Sequence, residues 1–248
     1  MRDYLVFRVY APLCSWGDIA VGEMRPTYSH PTRSALLGFL AAACGIKRDD
    51  EASHDAMAKA YRFCVRVDAA GSMLRDYHTV QPPRSEKGAH WFTRREELLA
   101  VREQNADAII SRRDYLANAS FTVCVWIADG VEPPHSLDSL KRSLEQPEFA
   151  LYAGRKSCPL ASPVNAQTVT ADTVREAFGL AAFPDEDVPK PDTNPAFFYD
   201  ECAHAGFVGY ELQKVVRRDV PSSRRRWQFS ERFECQARPV EAKQEANP

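Results

Sequence analysis

Residues 35–43, Ala-Leu-Leu-Gly-Phe-Leu-Ala-Ala-Ala, are apolar almost all the way round a helix. A helix without a polar face is stable only when buried, here against a sheet. Pro31 in its first turn and Gly45 beyond its end predict a helix starting at about Thr32. Upstream, Leu5, Phe7 and Val9 alternate with Tyr4, Arg8 and Tyr10, the period of a strand with one apolar face. With the helix on that face, the aromatic and basic face is expected to stay uncovered. Beside it lie Trp16, Arg25, Tyr28, His30 and Arg33 in the intervening loop. Rings interleaved with guanidinium groups suit a single-stranded nucleic acid. The alternative is an ordinary amphipathic sheet edge.

At 248 residues, the chain has room for one large domain or two modest ones. No apolar run is long enough to span a bilayer, and Met1-Arg2-Asp3 leads straight into a strand without a signal segment. Seven scattered cysteines with no C-x-x-C pair fit reduced thiols and a cytoplasmic location. A net charge of −2 argues against a generic nucleic-acid coat. The distribution is uneven, however: Phe207 to Arg238 carries eight basic residues against four acidic ones. Asp185 to Glu201 is acidic instead. Such asymmetry favours an anionic ligand on one face only.

Two strands, Arg62–Val67 and Met73–Gln81, are expected around a turn at Ala69–Ser72, followed by a loop, a charged helix over Arg94–Glu103 and a basic strand over Ile109–Tyr115. Phe121–Ile127 reads as a buried strand, and Ser136 caps a helix through Leu137, Leu140 and Leu144. Without the excursion over 82–118, this order is the split β-α-β of an α+β, ferredoxin-like (RRM-like) fold, whose sheet often reads RNA. The expected division is a first domain over 1–148, a small β-rich domain over 149–238 and a disordered tail over 239–248. Within the second part, 183–195 reads as mobile, and Gly209–Lys214 and Trp227–Gln236 as a hairpin joined by Asp219–Ser223.

Gly154, Arg155, Lys156 and Ser157 place a glycine, two cations and a hydroxyl on one turn, the set that phosphate or ribose contact requires. The spacing is not that of a P-loop, and a solvated surface turn is the alternative. Alternation over 224–232 sends Arg224, Arg226, Gln228, Ser230 and Arg232 to one face, for ligand contact or for protection of an edge strand. Asp76, Tyr77 and His78 bring together an acid, a phenol and an imidazole, the groups a metal-independent ribonuclease needs. Alternation nevertheless puts Tyr77 opposite the other two. No histidine spacing suggests a metal site, and no cofactor is expected.

Tyr4–Gly17, Pro31–Gly38, Arg75–Gln81, Gly154–Leu160, Arg218–Pro221 and Arg226–Phe229 together resemble the CasD family, the Cas-five-type RAMP subunits of the type I-E CRISPR surveillance complex Cascade. The resemblance runs in order from about residue 3 to 235 and is weak over 82–118 and 183–205. It implies a ferredoxin-like RAMP domain with an inserted thumb-like arm over about 82–118, then a small β-rich C-terminal part. It also implies a non-catalytic RNA-binding subunit that holds the 5′ handle of crRNA, abuts the backbone subunit CasC and the large subunit CasA, and meets target DNA only indirectly. Handle contacts carry over to Trp16, Arg25, Arg33, Gly154, Arg155 and Lys156, and thumb contacts to Arg112 and Arg113. Some relatives in another subtype cut precursor RNA with a tyrosine and an adjacent Lys-His pair. This chain has no Lys-His dipeptide, so cleavage with Tyr77 or His78 as base is the runner-up.

Overall fold

The computed structural model describes residues 1–80, 90–104, 108–184, 188–189, 191–200, 206–223, 226 and 228–239. In chain order the first elements are β1 (Arg2–Tyr10), β2 (Leu13–Cys14), β3 (Trp16–Gly17), β4 (Met24–Arg25), β5 (Thr27–Tyr28), α1 (Arg33–Ala43), α2 (Glu51–Ala60), β6 (Tyr61–Ala69) and β7 (Ser72–Val80). There follow α3 (Arg94–Gln104), β8 (Ile109–Ala117), β9 (Ser120–Ile127), α4 (Leu137–Glu145), β10 (Gln167–Ala171), α5 (Val174–Leu180), β11 (Phe197–Tyr199), β12 (Tyr210–Ser223) and β13 (Gln228–Pro239).

The apolar helix forms where its punctuation says. The Thr32 hydroxyl accepts from the Ala35 amide at 3.3 Å, and the Ile46 amide returns to the Ala41 carbonyl at 2.9 Å over Gly45, whose φ is +73°. Pro31 lies just before the cap rather than within the first turn. Leu5, Phe7 and Val9 pack under α1, with Phe7 and Phe39 stacked at 5.9 Å between centroids.

A seven-stranded sheet runs β10-β1-β9-β6-β11-β13-β12. Along its first four strands each is antiparallel to its neighbour, with α1 and α2 between β1 and β6, and α4 between β9 and β10. β7 leaves this sheet and pairs instead with β8, from Ser72 opposite Ala117 to Val80 opposite Ile109. The strands after residue 149 join the same sheet: β10 pairs with β1, and β11 inserts between β6 and β13.

The second face of β1 is not uncovered. Tyr4 is 1% exposed and, with Val6, Cys64 and Trp126, packs against Val174, Ala177 and Phe178 of α5. Arg8 reaches the Pro184 carbonyl at 3.1 Å and lies over the Phe183 ring. The cover comes from some 170 residues downstream, beyond the reach of any local pattern.

The hairpin also differs from expectation. Asp219–Ser223 is not its connection; β12 runs through Pro221, with irregularities after Arg217 and Pro221 that absorb the extra residues. Arg224, Arg225, Trp227, the excursion's loop, most of the acidic segment before Asp192 and the tail from 240 lie outside the described residues. Arg232 does not face solvent with Arg226. Its side chain is 13% exposed and binds three carboxylates: Asp219 at 2.7 Å, Asp200 at 3.2 Å and Glu234 at 3.1 Å. Arg33 joins from α1, donating to Asp200 at 3.2 Å and to the carbonyls of Ala58 and Tyr61. Asp219 also accepts the Arg33 amide at 2.9 Å, so it caps the start of α1. Arg217 and His30 bind Glu234, and His30 stacks on Phe198 with centroids 3.6 Å apart. Burial opposes the Glu234 charge, yet His30, Arg232 and Arg217 outweigh it and hold the carboxyl at about 2. Three guanidiniums thus face three carboxylates, and the node welds α1 to the last two strands.

Candidate nucleic-acid interface

Tyr152–Pro159 is a tight turn closed by its own backbone. Ala153 donates to Cys158 and Cys158 to Arg155, both at 2.8 Å. Gly154 has φ +85°, and a Cβ there would sit 1.9 Å from the Ser15 carbonyl oxygen, so only glycine allows the turn to dock on β3. Trp16 forms the seat. It is 2% exposed, edge-on to Phe121 at 5.7 Å, and its ring reaches 3.4 Å from the same Gly154 point.

That burial corrects two sequence readings. The Trp16 indole has no free face on which a base can stack; it supports the turn from below. Arg33 is spent on Asp200 and two carbonyls, as described, and offers nothing to a phosphate. In both cases local sequence sees a ring or a cation beside a loop but not the distant partner that takes it inside.

The other cations converge. β4 pairs in parallel with β8, placing Arg25 beside Arg113 and Met24 beside Arg112. Arg155 crosses from the turn, donates to the Arg25 carbonyl at 3.1 Å and lies 4.6 Å over the Tyr115 ring. Arg25 folds back onto the Gly22 and Met24 carbonyls. Arg112 is exposed, over Tyr77 at 5.9 Å and 4.0 Å from Glu23. Arg113 is half-buried and donates to the Ser111 hydroxyl at 3.4 Å. Lys156 is exposed beside Gly154. Strand pairing and the Arg155 hydrogen bond therefore bring Arg25, Arg113 and Arg155 together, with Lys156 next along the turn, while Arg112 stands on the opposite face of β8 over Tyr77. A carboxylate, Asp114, lies within this group, but Arg75 takes it at 2.7 Å and, through that hydrogen bond and its charge, holds it below the ordinary carboxylate range.

Arg155 and Lys156 lie on a turn closed by its own backbone, and Arg25 and Arg113 on paired strands, residue types in a setting suited to anion contact. Tyr115 was missed from the sequence; an aromatic inside a basic strand was its signal. Two cavities flank the turn. One, of about 850 Å³, lies between α1, Ile46–Arg48 and Phe149–Lys156. The other, of about 860 Å³, is lined by Gly17–Ala20, Arg218 and Phe229. Both are bordered by Ser34, Ala35 and Gly154.

The acid, phenol and imidazole of β7 separate as alternation predicts. His78 hydrogen-bonds Asp76 and stands opposite Ser111, while Tyr77 stands opposite Arg112. Among the described residues, no group of three or more His, Cys, Asp or Glu side chains is placed to hold a metal ion, and no helix is long and apolar enough to cross a membrane.

A family model described as CRISPR-associated protein (Cas_Cas5) matches residues 4–234. The chain is 36% identical over 188 residues to the CRISPR system Cascade subunit CasD of Escherichia coli (strain K12), covering 71% of this chain and 76% of that one. Among solved structures, it is similar to a chain of a CRISPR RNA-guided surveillance complex, with a TM-score of 0.65, 26% identity and coverage of 99% and 94%. A second likeness, to a crystal structure of a Cas protein, has a TM-score of 0.56 at 23% identity, covers 95% of each chain and bears on the fold alone.

Proposed function

Because the chain belongs to the Cas5 family of CRISPR-associated proteins, we propose that it is a non-catalytic subunit of a Cascade-type surveillance complex that holds the 5′ handle of crRNA. Its neighbours in that reading are the backbone subunit CasC and the large subunit CasA. The sheet order β10-β1-β9-β6 with its helix crossovers is the one a ferredoxin-like RAMP domain requires. The β7–β8 ladder with α3 is the candidate thumb, and the strands from β11 onward are the candidate C-terminal part.

The observation that carries the reading is that Arg25 and Arg113 pair across β4 and β8 while Arg155, between Gly154 and Lys156 on the turn, reaches over to the Arg25 carbonyl. Phosphates on these groups would fix the strand without reading its sequence. Trp16 and Arg33 act in this scheme as supports, not contacts. The separation of Tyr77 from His78 and the absence of a Lys-His dipeptide favour holding RNA over cutting it.

The test is the double change Arg155→Ala/Lys156→Ala in the full chain. Salt dependence of single-strand binding has a slope of about 0.7 log units per neutralised phosphate. Loss of two phosphate contacts should flatten the slope by roughly 1.4 and weaken handle binding or incorporation into the complex. Unchanged affinity, slope and assembly would refute the site. Specific cleavage of repeat RNA in EDTA, abolished by His78→Ala, would refute the non-catalytic reading.

A further inference from the structure

The basic turn leaves the cavity beside it unexplained. Its floor is the one face of α1 that is not fully buried: Ala35, Gly38 and Ala42 are half-exposed while Leu36, Leu37 and Leu40 face inward. At Gly38 a built Cβ meets nothing within 4 Å, so the space above the helix backbone is open. Phe149, 41% exposed, and Tyr152 line the same cavity. So do three exposed cations, Lys47, Arg48 and Lys156, and no acidic side chain is among its lining residues. Its volume of about 850 Å³ falls in the range of small-molecule pockets, roughly 300–1,000 Å³.

We propose that this cavity receives one unstacked nucleobase of the bound RNA, lying on the bare face of α1 at Gly38, with its flanking phosphates at Lys156 and at Lys47 or Arg48. The inference rests on the RNA-holding reading above and adds a base subsite to it. An apolar floor with aromatic walls accepts a base of any identity through its π-face, and a cationic rim accepts its phosphates. The uniform sign of the rim favours a polyanion over a protein side chain as the occupant. Glycine in the middle of a helix is unfavourable relative to alanine. At Gly38 that cost keeps the floor flat, which makes Gly38 the residue that decides whether a base fits.

The experiment is a coupling measurement on the full chain with handle RNA labelled for anisotropy. Abasic sites are placed at each handle position in turn and titrated against the wild type and against Gly38→Leu. Leucine favours a helix over glycine and meets no neighbour at its Cβ, so folding should survive; Phe149→Ala serves as the second variant. The expected result is one position at which base removal weakens wild-type binding roughly ten-fold. Against Gly38→Leu or Phe149→Ala the same removal should cost nothing further.

If no handle position couples to Gly38 or Phe149, the base subsite is wrong. Retention of the Arg155/Lys156 effect in that case keeps the handle reading intact. If Gly38→Leu leaves RNA affinity unchanged but blocks joining to other subunits, the cavity is a protein socket and the proposal falls.

Discussion

Arg232→Met tests whether the buried node is the clamp described. The guanidinium binds Asp200, Asp219 and Glu234 while 13% exposed. Methionine keeps much of the volume and removes the charge, leaving three carboxylates with Arg33, Arg217 and His30. Breaking one partner out of a buried ion-pair network typically costs about 3–5 kcal/mol. Linkage gives an independent scale. Glu234 is held at about 2 against an ordinary value of 4.5, so its ionised form contributes on the order of 3 kcal/mol. Its pKa is depressed on folding, so this contribution is complete above about pH 4.5. It is lost as the pH falls from there through about 2.

In Arg232→Met, Glu234 loses one of the charges that hold it down and takes up a proton at higher pH. The penalty should therefore be largest near pH 7 and shrink at pH 4. Urea unfolding at both pH values checks this, with an unchanged m-value confirming a common unfolded state. The corresponding loss in Tm is about 6–20 °C at neutral pH. A penalty below about 1 kcal/mol, or one that grows on acidification, would refute the reasoning.

Gly154→Ala should leave the far-ultraviolet spectrum intact but loosen Tyr152–Pro159, because its Cβ would overlap the Ser15 carbonyl; faster amide exchange there and weaker RNA binding are the readouts. Trp16→Ala should destabilise the chain by about 3–5 kcal/mol, as large core truncations do. By contrast, Trp16→Phe should alter stability more than handle affinity, since no base stacks on a ring that is 2% exposed. Cys14, whose thiol burial pushes up to about 12, should resist iodoacetamide at pH 8 in the native protein and react on unfolding; labelling at the native rate of an exposed thiol would contradict its placement.

What could be read locally was read well. The 2-residue period of Leu5–Val9 and the apolar face of α1 are decided within a few residues, so strand, helix and caps appeared where their patterns lay. The turn that carries Arg155 and Lys156 was legible because a glycine, here at positive φ, sits beside them. The failures share one cause: each concerns which group on another segment meets a side chain. Tyr4 is covered by α5, Arg33 is taken by Asp200, and Arg232 turns in to Asp219. A guanidinium reads identically in sequence whether its partner is a phosphate in solution or a carboxylate more than 150 residues away. The departure of β7 to β8 has the same origin, because alternation states that a segment is extended but not which strand it joins.

The Asp219 cap on α1 bears on how the protein comes into being. α1 leaves the ribosome early, yet the carboxylates that seat Arg33 belong to residues 200 and 219, and vectorial synthesis delivers them last. Until then Thr32 alone caps the helix, and Arg33 lacks the carboxylates that take its amide and its guanidinium. Closure of the final hairpin is thus the step that completes the seat of the first helix, so the earliest helix of the chain depends on its latest strands.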